Sequence, residues 1–481
     1  MLSKMKPGWI VVVLLLVGTA LAGCLEETST GTRAAGSEKG VAKPIVASPH
    51  SLVGPVNLSQ IADPNATAFA LRGLGVRASE PTLGVTSKGS VFFVAGTNIM
   101  RSRDLGLTWQ RANLALPTPG AGTNVPPTTL DPMLYVDTVT DRVYADQLYV
   151  GCSFLSYSDD EGGLWVHNPA ACGLPADDHQ TISSGVSSLP APLYRNRAFY
   201  YCSNQFFDAT CSVSLDGGLT FPITRPLFFG PDLKACGGIT GHVTTAPDGT
   251  VYVPAWRCDE PWIAVSRDSG QTWFGQRVSD DSSGEMDPSV AIDSAGNAYY
   301  FWHNKTGQPR FSVSTDKGRK WTSPINVSFP GYHSGSLPSI IAGDPGRVAF
   351  TYIATTTGNY SNPARVGKDV PWDLYVTVSL NALDPEPTFT TYLLNPLDDP
   401  VFRGNCGGGY RCGAIVDFMD ITMDKEGRVY VASVDACGTP VCIGKPPAEG
   451  ATTHGEGIMG VLLQGPSLKA DKPAFRLEIP K

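Results

Sequence analysis

One eight-residue phrase occurs five times in the chain at near-regular intervals, and it restricts the fold more strongly than any other feature of the sequence. The phrase has the pattern Ser-x-Asp-x-Gly-x-x-aromatic, and its cleanest copy runs from Ser266 to Trp273. The other four copies begin at Ser102, Ser158, Ser214 and Ser314. Successive copies start 48 to 56 residues apart. A period of this size is typical of an array of similar structural units.

Each copy has the chemistry of a tight corner between two strands. The glycine at the fifth place permits the positive φ of a tight turn, and the Asp carboxylate can accept N–H bonds that the turn leaves unpaired. An apolar run precedes the phrase, as at Trp262–Val265, and the aromatic residue opens the next strand. The phrase therefore predicts a strand–turn–strand corner with five structural aspartates: Asp104, Asp160, Asp216, Asp268 and Asp316.

These five segments resemble Asp-boxes, also called BNR repeats, which occur in sialidases and in many other β-propeller proteins. The resemblance covers about residues 70–465. It implies an all-β fold in which each Asp-box joins the third and fourth strands of a blade, on the face opposite the ligand site. A shared fold does not by itself define an activity.

Seven turn signals between apolar strands predict the first hairpins of seven blades. They lie at Lys88-Gly89, Thr140-Asp141, Arg195-Asn196, Asp248-Gly249, Gly296-Asn297, Pro345-Gly346 and Glu426-Gly427. The sequence thus predicts a single seven-bladed propeller over residues 66–481, in which two blades have lost the Asp-box. Six blades remain the alternative. An open ring would expose a sheet edge, so either Ala474–Ile479 or a strand near Thr67–Leu71 is expected to close it.

The N-terminal segment has the pattern of an export signal. Lys4 and Lys6 precede an apolar run, Trp9–Val17, and Leu21–Cys24 resembles a lipobox. That resemblance implies cleavage before Cys24 and a lipid on its sulfur, whereas an ordinary secretory signal is the alternative. We therefore expect a signal peptide over residues 1–23 and a lipidated, flexible tether over residues 24–65. The protein is then expected on the outer face of the cytoplasmic membrane.

The remaining ten cysteines fall as close neighbours, which favours local disulfides in an exported protein. The predicted bonds are Cys152–Cys172, Cys202–Cys211, Cys236–Cys258, Cys406–Cys412 and Cys437–Cys442. A metal cluster is the rival interpretation, but no Cys-x-x-Cys pair occurs. The net charge is −8 and there is no basic run. Nucleic acid is therefore not an expected partner, and we expect a monomer.

Acids and histidines recur at the start of the innermost strand in six of the seven predicted blades. They are Glu80, Asp131, Asp178 with His179, His242, Asp287, and Asp417 with Asp420. In a propeller these positions converge at the mouth of the central channel. Glu80, Asp131 and Asp287 could act as catalytic carboxylates on a glycosidic bond. The ring could instead bind a polar ligand or a divalent cation such as calcium, or the acids could simply cap the strand entrances.

The loops after the second strands share that face. They carry Trp256-Arg257 and Trp302-His303. Trp beside Arg or His is typical of sugar-binding surfaces, so Trp256, Arg257 and His303 are candidate ligand-binding residues. Packing at the rim of the blades is the alternative.

Catalytic sialidases also carry an arginine triad, whose first member lies in a Phe/Tyr-Arg-Ile/Leu-Pro motif. That motif is absent, and the corresponding region holds Arg72 in Leu71-Arg72-Gly73-Leu74. Bidentate arginine recognition of a carboxylate is central to that activity. We therefore favour a surface module that binds glycans or proteins at the mouth. A sialidase-like glycoside hydrolase and a scaffold that assembles membrane complexes are the alternatives.

Overall fold

A computed structural model describes residues 45–46, 67–112, 131–149, 151–175, 177–204, 208–228, 238–284, 286–357, 370–396, 399–403, 415, 417–437 and 455–476. These residues belong to a compact unit, Pro44–Lys481. Their strands form seven antiparallel sheets, which confirms the all-β, seven-bladed propeller and excludes the six-bladed alternative. Within these ranges there is no α-helix, and a short 3₁₀ helix spans Pro192–Tyr194. No helix among them has the length and apolar character needed to cross a membrane.

The strands are numbered in chain order, and each blade is given from the channel outwards. Blade 1 contains β3 (Leu83–Val85), β4 (Val91–Ala95), β5 (Asn98–Ser102) and β6 (Thr108–Arg111), with β1 (Ile45–Val46) added outside β6. Blade 2 contains β7 (Pro132–Asp137), β8 (Arg142–Tyr149), β9 (Cys152–Ser158) and β10 (Val166–Ala171). Blade 3 contains β11 (Asp178–Val186), β12 (Arg197–Asn204), β13 (Ala209–Ser214) and β14 (Ile223–Pro226).

The remaining four blades follow the same plan. Blade 4 contains β15 (Gly238–Thr240) and β16 (Thr244–Thr245), which both pair with β17 (Val251–Arg257), then β18 (Glu260–Ser266) and β19 (Phe274–Arg277). Blade 5 contains β20 (Ser289–Ile292), β21 (Ala298–His303), β22 (Pro309–Ser314) and β23 (Ile325–Asn326). Blade 6 contains β24 (Ser334–Ala342), β25 (Val348–Thr355), β26 (Pro371–Ser379) and β27 (Thr390–Leu393), with β28 (Phe402–Arg403) beside β26. Blade 7 contains β29 (Asp420–Met423), β30 (Val429–Asp435), β31 (Gly455–Gln464) and β2 (Ala68–Ala78).

The ring is closed by the N-terminal strand β2, which is the outermost strand of blade 7. It runs antiparallel to β31, from the pair Ala68–Gln464 to the pair Ala78–Gly455. Of the two closures that the sequence left open, the structure has the N-terminal one. The competing segment contributes an isolated bridge from Phe475 to Gly465. Pairing β2 with β31 covers the edge that an open ring would expose.

The core lies between the blades, because each sheet packs against a neighbour on both of its faces. The six residues of β21, Ala298–His303, are therefore all buried instead of alternating between buried and exposed. Aromatic rings fill the interfaces between successive blades. Phe301 of blade 5 stacks on Phe350 of blade 6 at 4.4 Å between ring centroids, and Tyr144 and Phe199 join blades 2 and 3 at the same distance. Such pairs add to the free energy gained by burying the rings.

The Asp-boxes have the geometry that their sequence predicts. In the cleanest copy, Ser266 Oγ donates to Asp268 Oδ1 at 2.9 Å, and Thr272 N donates to the same oxygen at 2.9 Å. Gly270, with φ of +76°, donates its N–H to Ser266 Oγ at 2.9 Å. Burial alone would raise the pKa of Asp268, but the hydrogen bonds from Thr272 and Ser266 outweigh it and lower the pKa. The pKa values of the other four box aspartates are lowered as well, as expected of carboxylates that fold a turn.

Blade 6 has no Asp-box in sequence, yet its corner keeps part of the same arrangement. Asn381 takes the place of the aspartate, and Ser379 Oγ donates to Asn381 Oδ1 at 3.3 Å. Thr388, seven residues later, donates its N–H to the same oxygen at 2.9 Å. This corner has therefore kept the acceptor oxygen and lost the charge.

Two predicted disulfides, Cys152–Cys172 and Cys202–Cys211, are present, with Cα atoms 5.2 Å and 3.9 Å apart. Cys258 and Cys437 are disulfide-bonded too. Their predicted partners, Cys236 and Cys442, lie outside the described residues, as does the whole Cys406–Cys412 pair. Those three pairings remain predictions.

Candidate functional site

The innermost strands of all seven blades begin at one end of the channel, which we call the mouth. In each blade the chain runs away from the mouth along the first strand and returns along the second. The third strand again runs away from the mouth, so the Asp-boxes that follow it lie at the opposite end. The candidate residues before the innermost strands therefore converge at the mouth, on the face opposite the Asp-boxes.

An ion pair crosses the mouth between two blades that are not neighbours. His179, from the start of β11 in blade 3, bonds through Nε2 to Asp287 Oδ2, which precedes β20 in blade 5. Both residues are buried, with 3% and 5% of their surface exposed. The backbone N–H of His179 donates to Asp131 Oδ2 of blade 2 at 3.0 Å. One histidine thus joins three blades.

The surroundings of His179 stabilise its charged form. Burial by itself would lower the pKa of the imidazole. The charge and the hydrogen bond of Asp287 raise the pKa instead, and the charges of Asp131 and Glu80 raise it further. The pKa of His179 therefore rises to about 10. The mouth therefore holds an imidazolium at neutral pH, surrounded by carboxylates from blades 1, 2 and 5.

Three residues at the entrances of innermost strands have a left-handed backbone conformation, which sets the direction of their side chains. His179 has a φ of +51°, and Glu80 and Leu337, at the corresponding points of blades 1 and 6, have φ of +47° and +58°. The pairing of β11 with β12 shifts register between Asp178 and Thr181, which marks a bulge. A bulge interrupts the alternation of side chains and re-aims one of them. Non-glycine residues in this conformation are costly and cluster at sites where geometry matters.

A second histidine and a phenylalanine complete the cluster. Phe418 lies edge-on to both imidazoles, with ring centroids 5.4 Å from His179 and 4.9 Å from His242. His242 Nδ1 lies 3.8 Å from Asp420 Oδ1. The other oxygen of Asp420 accepts the N–H of Leu83 at 3.1 Å, which joins blade 7 to blade 1. We call this set the mouth cluster: Glu80, Asp131, His179, His242, Asp287, Phe418 and Asp420.

Phe418 was not among the residues predicted from sequence. It stands between two predicted acids in Asp417-Phe418-Met419-Asp420, and only 5% of it is exposed. The sequence signal that could have identified Phe418 is its position, because it is an apolar residue between two acids at a strand entrance. Asp417 itself is half-buried, and Asp178 is exposed at the start of β11, opposite Asn204.

The predicted sugar-stacking residues mostly pack the rim of blades 4 and 5. Arg257 is buried, donates to Asp208 Oδ2 at 2.9 Å and lies over the ring of Phe228. Trp302 is fully buried and donates to Ser282 O at 3.1 Å. Neither side chain is exposed enough to contact a sugar, because β17 and β21, which carry them, pack between neighbouring blades. Trp256 is half-buried.

His303 is also part of this packing. It is 4% exposed and contacts the rings of Phe301 and Tyr352. Burial lowers its pKa to about 3, so it is neutral at physiological pH. Two histidines of the described part of the chain are therefore buried in opposite states, with His179 charged and His303 neutral.

The acids of the mouth cluster are already engaged by protein groups. Asp287 bonds the imidazole of His179, Asp131 bonds the backbone of the same residue, and Asp420 bonds the backbone of Leu83. Within the described ranges, no three side chains of His, Cys, Asp or Glu are arranged to hold a metal ion. The geometry of these acids resembles strand-entrance capping.

Arg72, the arginine in the region where a sialidase would carry its first arginine motif, lies away from the mouth. Arg72 is on β2, the outermost strand of blade 7, and is 7% exposed. Burial lowers its pKa and the charge of Asp104, in the first Asp-box, raises it. A Cβ on Gly106 of that box would come within 3.2 Å of Arg72 Cδ. Arg72 therefore packs beside an Asp-box on an outer strand.

Comparisons with known proteins agree with this architecture. Residues 192–358 match the family model of the BNR repeat-like domain. No curated protein matches the sequence. The protein is therefore a seven-bladed β-propeller with Asp-box turns, and residues 192–358 are similar to the BNR repeat-like domain.

Solved structures with a similar chain course include three from different organisms. A protein of unknown function from Dyadobacter fermentans is 14% identical, with 80% of this chain and 94% of that chain covered and a TM-score of 0.43. The NanB sialidase from Streptococcus pneumoniae is 13% identical, with coverages of 80% and 68% and a TM-score of 0.42. The Aleuria aurantia lectin is 11% identical, with coverages of 66% and 96% and a TM-score of 0.41.

Proposed function

We propose that the protein is a cell-surface binding module that takes a hydroxyl-rich glycan at the mouth of its propeller. The proposal includes export and anchoring to the outer face of the cytoplasmic membrane through a lipid on Cys24. The observation that carries it is the mouth cluster, in which the His179–Asp287 pair lies beside Phe418. Binding sites commonly combine a few fixed polar groups with an apolar surface.

The mouth cluster supplies the fixed polar groups, and the buried Phe418 supports them. Its carboxylates accept hydrogen bonds from sugar hydroxyls, and the imidazole N–H groups donate to ring or hydroxyl oxygens. Phe418, of which 5% is exposed, packs edge-on against both imidazoles and fixes their orientation. Because hydrogen bonds within the protein already hold these groups, little conformational entropy is lost when a ligand is bound.

Binding is favoured over hydrolysis by the way in which the two best candidate acids are held. A glycosidase needs one protonated carboxyl group and one carboxylate on either side of the scissile bond. Asp131 and Asp287 both bond His179, one through its backbone and one through its ring. Both carboxylates are therefore held by hydrogen bonds to one residue of the protein.

A glycan-array screen of the full chain tests the proposal, with fluorogenic sialosides and other glycosides assayed in parallel. The variants are His179→Gln and Phe418→Leu. The matched control is Asp159→Asn, which breaks an exposed ion pair with Arg142 on the opposite face. Thermal melts of each variant separate loss of binding from loss of folding.

We expect a defined set of glycans to bind the wild type and Asp159→Asn equally, and to bind His179→Gln and Phe418→Leu at least tenfold more weakly. Binding that survives both mouth substitutions would refute the proposal. Turnover of a glycoside, abolished by Asp131→Asn or Asp287→Asn, would establish a hydrolase instead. Absence of any glycan ligand would also refute it and direct attention to protein partners.

A further inference from the structure

Polar side chains are buried between blades 2 and 3, directly beneath the mouth. Asp146, on β8, and Gln180, on β11, are 0% and 2% exposed. Each lies two residues along its strand from an apolar side chain of the interface between the two blades, Tyr144 and Ile182 respectively. Because alternate residues of a strand share a face, Asp146 and Gln180 both point into that interface. They form the mouth end of an otherwise apolar contact.

Hydrogen bonds connect these polar groups across the two blades. Asp146 Oδ2 accepts the hydroxyl of Ser153 at 3.1 Å, and Ser153 Oγ lies 2.9 Å from Tyr201 Oη of blade 3. Asp177, which precedes β11, accepts the hydroxyl of Ser203 at 3.0 Å. Burial raises the pKa of Tyr201 well above its ordinary value, and the charges of Asp146 and Asp177 raise it further. Both carboxylates therefore lie near one phenol. We call this set the buried acid network: Asp146, Ser153, Asp177, Gln180, Tyr201 and Ser203.

Two oxygen atoms of the buried acid network have no hydrogen-bond partner among the described residues. They are Asp146 Oδ1 and Gln180 Oε1, and both are buried. The amide nitrogen of Gln180 is engaged elsewhere, because it donates to Asp131 O at 2.5 Å. A carboxylate oxygen and an amide oxygen can only accept, and buried acceptors are normally satisfied. The two atoms therefore indicate a binding site for a positively charged group.

The groups that act most strongly on Asp146 are neutral or acidic. Burial raises the pKa of Asp146 well above its ordinary value. The charge of Asp177 raises this pKa further, whereas the hydrogen bonds of Ser153 and Gln180 lower it. Two neighbouring buried carboxylates repel each other and lose their hydration, so a positive charge between them stabilises both.

The composition of the network selects a hard divalent cation. All of its candidate ligands are oxygens, from carboxylate, amide and hydroxyl groups. Ca²⁺ accepts such ligands in irregular arrangements, whereas Mg²⁺ requires a regular octahedron and gives up its water reluctantly. Two carboxylates also balance two positive charges. A site of two acids and neutral oxygens is compatible with the lack, within the described ranges, of any metal-binding group of three His, Cys, Asp or Glu side chains.

We propose that the buried acid network is a calcium site, in which Asp146, Asp177 and Gln180 bind the ion. The site is separate from the mouth cluster and does not depend on the ligand proposed there. The two are linked, because Gln180 bonds the backbone of Asp131, and the side chain of Asp131 accepts the N–H of His179. Calcium stabilises the contact between two blades and fixes the strand entrance that carries His179.

Metal content and thermal stability of the full chain test the proposal. After gel filtration from a calcium buffer, the wild type should retain one calcium ion per chain, measured by inductively coupled plasma mass spectrometry. Calcium at a hundredfold excess over its dissociation constant should raise the melting temperature by about 3–5 °C relative to a chelator. Magnesium at the same concentration should have a much smaller effect.

Two variants and a matched control assign the ion to the network. Asp146→Asn and Asp177→Asn each remove one carboxylate and should abolish the shift between chelator and calcium. Asp293→Asn is the control, because Asp293 is 1% exposed and its two oxygens accept hydrogen bonds from Asn297 and Tyr299 of its own blade. The control should keep the shift. Comparing the shift within each variant removes the effect of general destabilisation.

A wild type that retains no calcium and melts at the same temperature in calcium and in chelator would overturn the proposal and assign a proton to Asp146 instead. A shift that persists in both Asp146→Asn and Asp177→Asn would place the ion elsewhere and overturn it too. If Asp146→Asn does not fold, the metal content of the wild type and the shift of Asp177→Asn decide the outcome. Glycan binding is tested with substitutions in the mouth cluster, so the failure of one proposal is distinguishable from the failure of the other.

Discussion

His179 and Asp287 meet across the mouth of the channel, although a whole blade separates them in the ring. Their bond joins the entrance of β11 to the entrance of β20 and passes over blade 4. Phe418 of blade 7 likewise reaches His179 of blade 3 and His242 of blade 4. The N–H of Leu83, by contrast, donates to Asp420 between the neighbouring blades 1 and 7. The ion pair is therefore a cross-brace as well as a candidate ligand contact.

The first prediction concerns the response of stability to alkaline pH. The pKa of His179 is about 10 in the folded protein, compared with about 6.5 for an unperturbed histidine. Because the folded pKa is the higher of the two, the pair's contribution to the free energy of unfolding is complete below about pH 6.5 and is lost as the pH rises to about 10. His179→Gln should cost about 3–5 kcal/mol at pH 6 and much less at pH 10. Urea unfolding at several pH values measures both, and parallel pH profiles of variant and wild type would contradict the assignment.

The second prediction has the opposite sign. His303 is neutral in the folded state because burial lowers its pKa to about 3, so the unfolded chain binds an additional proton below about pH 6.5. Its contribution should reduce stability as the pH falls from 6.5 towards 4.5. His303→Phe removes the titrating group among aromatic neighbours and should flatten that part of the profile. Thermal melts between pH 4.5 and 7 provide the measurement, and an unchanged acid slope would count against it.

A third prediction concerns the Asp-box. Asp268→Ala removes the acceptor for Thr272 N and Ser266 Oγ and should destabilise the protein by about 1–3 kcal/mol. Asp268→Asn keeps one acceptor oxygen and should cost less than half as much, because Asn381 fills the same place in blade 6. Equilibrium unfolding in urea at pH 7 separates the two variants. Equal losses would mean that the charge matters more than the acceptor geometry.

The fourth prediction concerns the phenylalanine of the mouth cluster. Phe418→Ala leaves a cavity between His179 and His242 and should cost about 3–5 kcal/mol. Phe418→Leu retains much of the volume and should be tolerated better. Differential scanning calorimetry measures both. A small loss for the alanine variant would show that the neighbouring rings close over the gap.

The repeat architecture could be predicted from the sequence because its determinants are local. The Asp-box from Ser266 to Trp273 forms its hydrogen bonds within eight residues, and each hairpin turn is marked by its own glycine, asparagine or aspartate. The Cys202–Cys211 bond joins opposing residues of consecutive strands. Pattern and proximity are sufficient for features of this kind.

The chemistry of the mouth could not be predicted in the same way. The sequence placed acids and histidines at the strand entrances, but the choice of Asp287 as the partner of His179 depends on a bulge and a left-handed φ 108 residues away. The burial of Trp302 and His303 depends on blades that pack both faces of β21. Both outcomes are set by tertiary packing, which overrides the preferences of single residues.

Because β2 closes the ring, the propeller cannot finish folding until the last blade has been synthesised. The first strand of the propeller has no partner until β31, almost four hundred residues later, has been made. During synthesis, the nascent chain therefore carries β2 without its partner strand while the blades between them are made. Contacts between such distant segments form slowly. The time during which that strand needs protection from aggregation is thus as long as the synthesis of the rest of the chain.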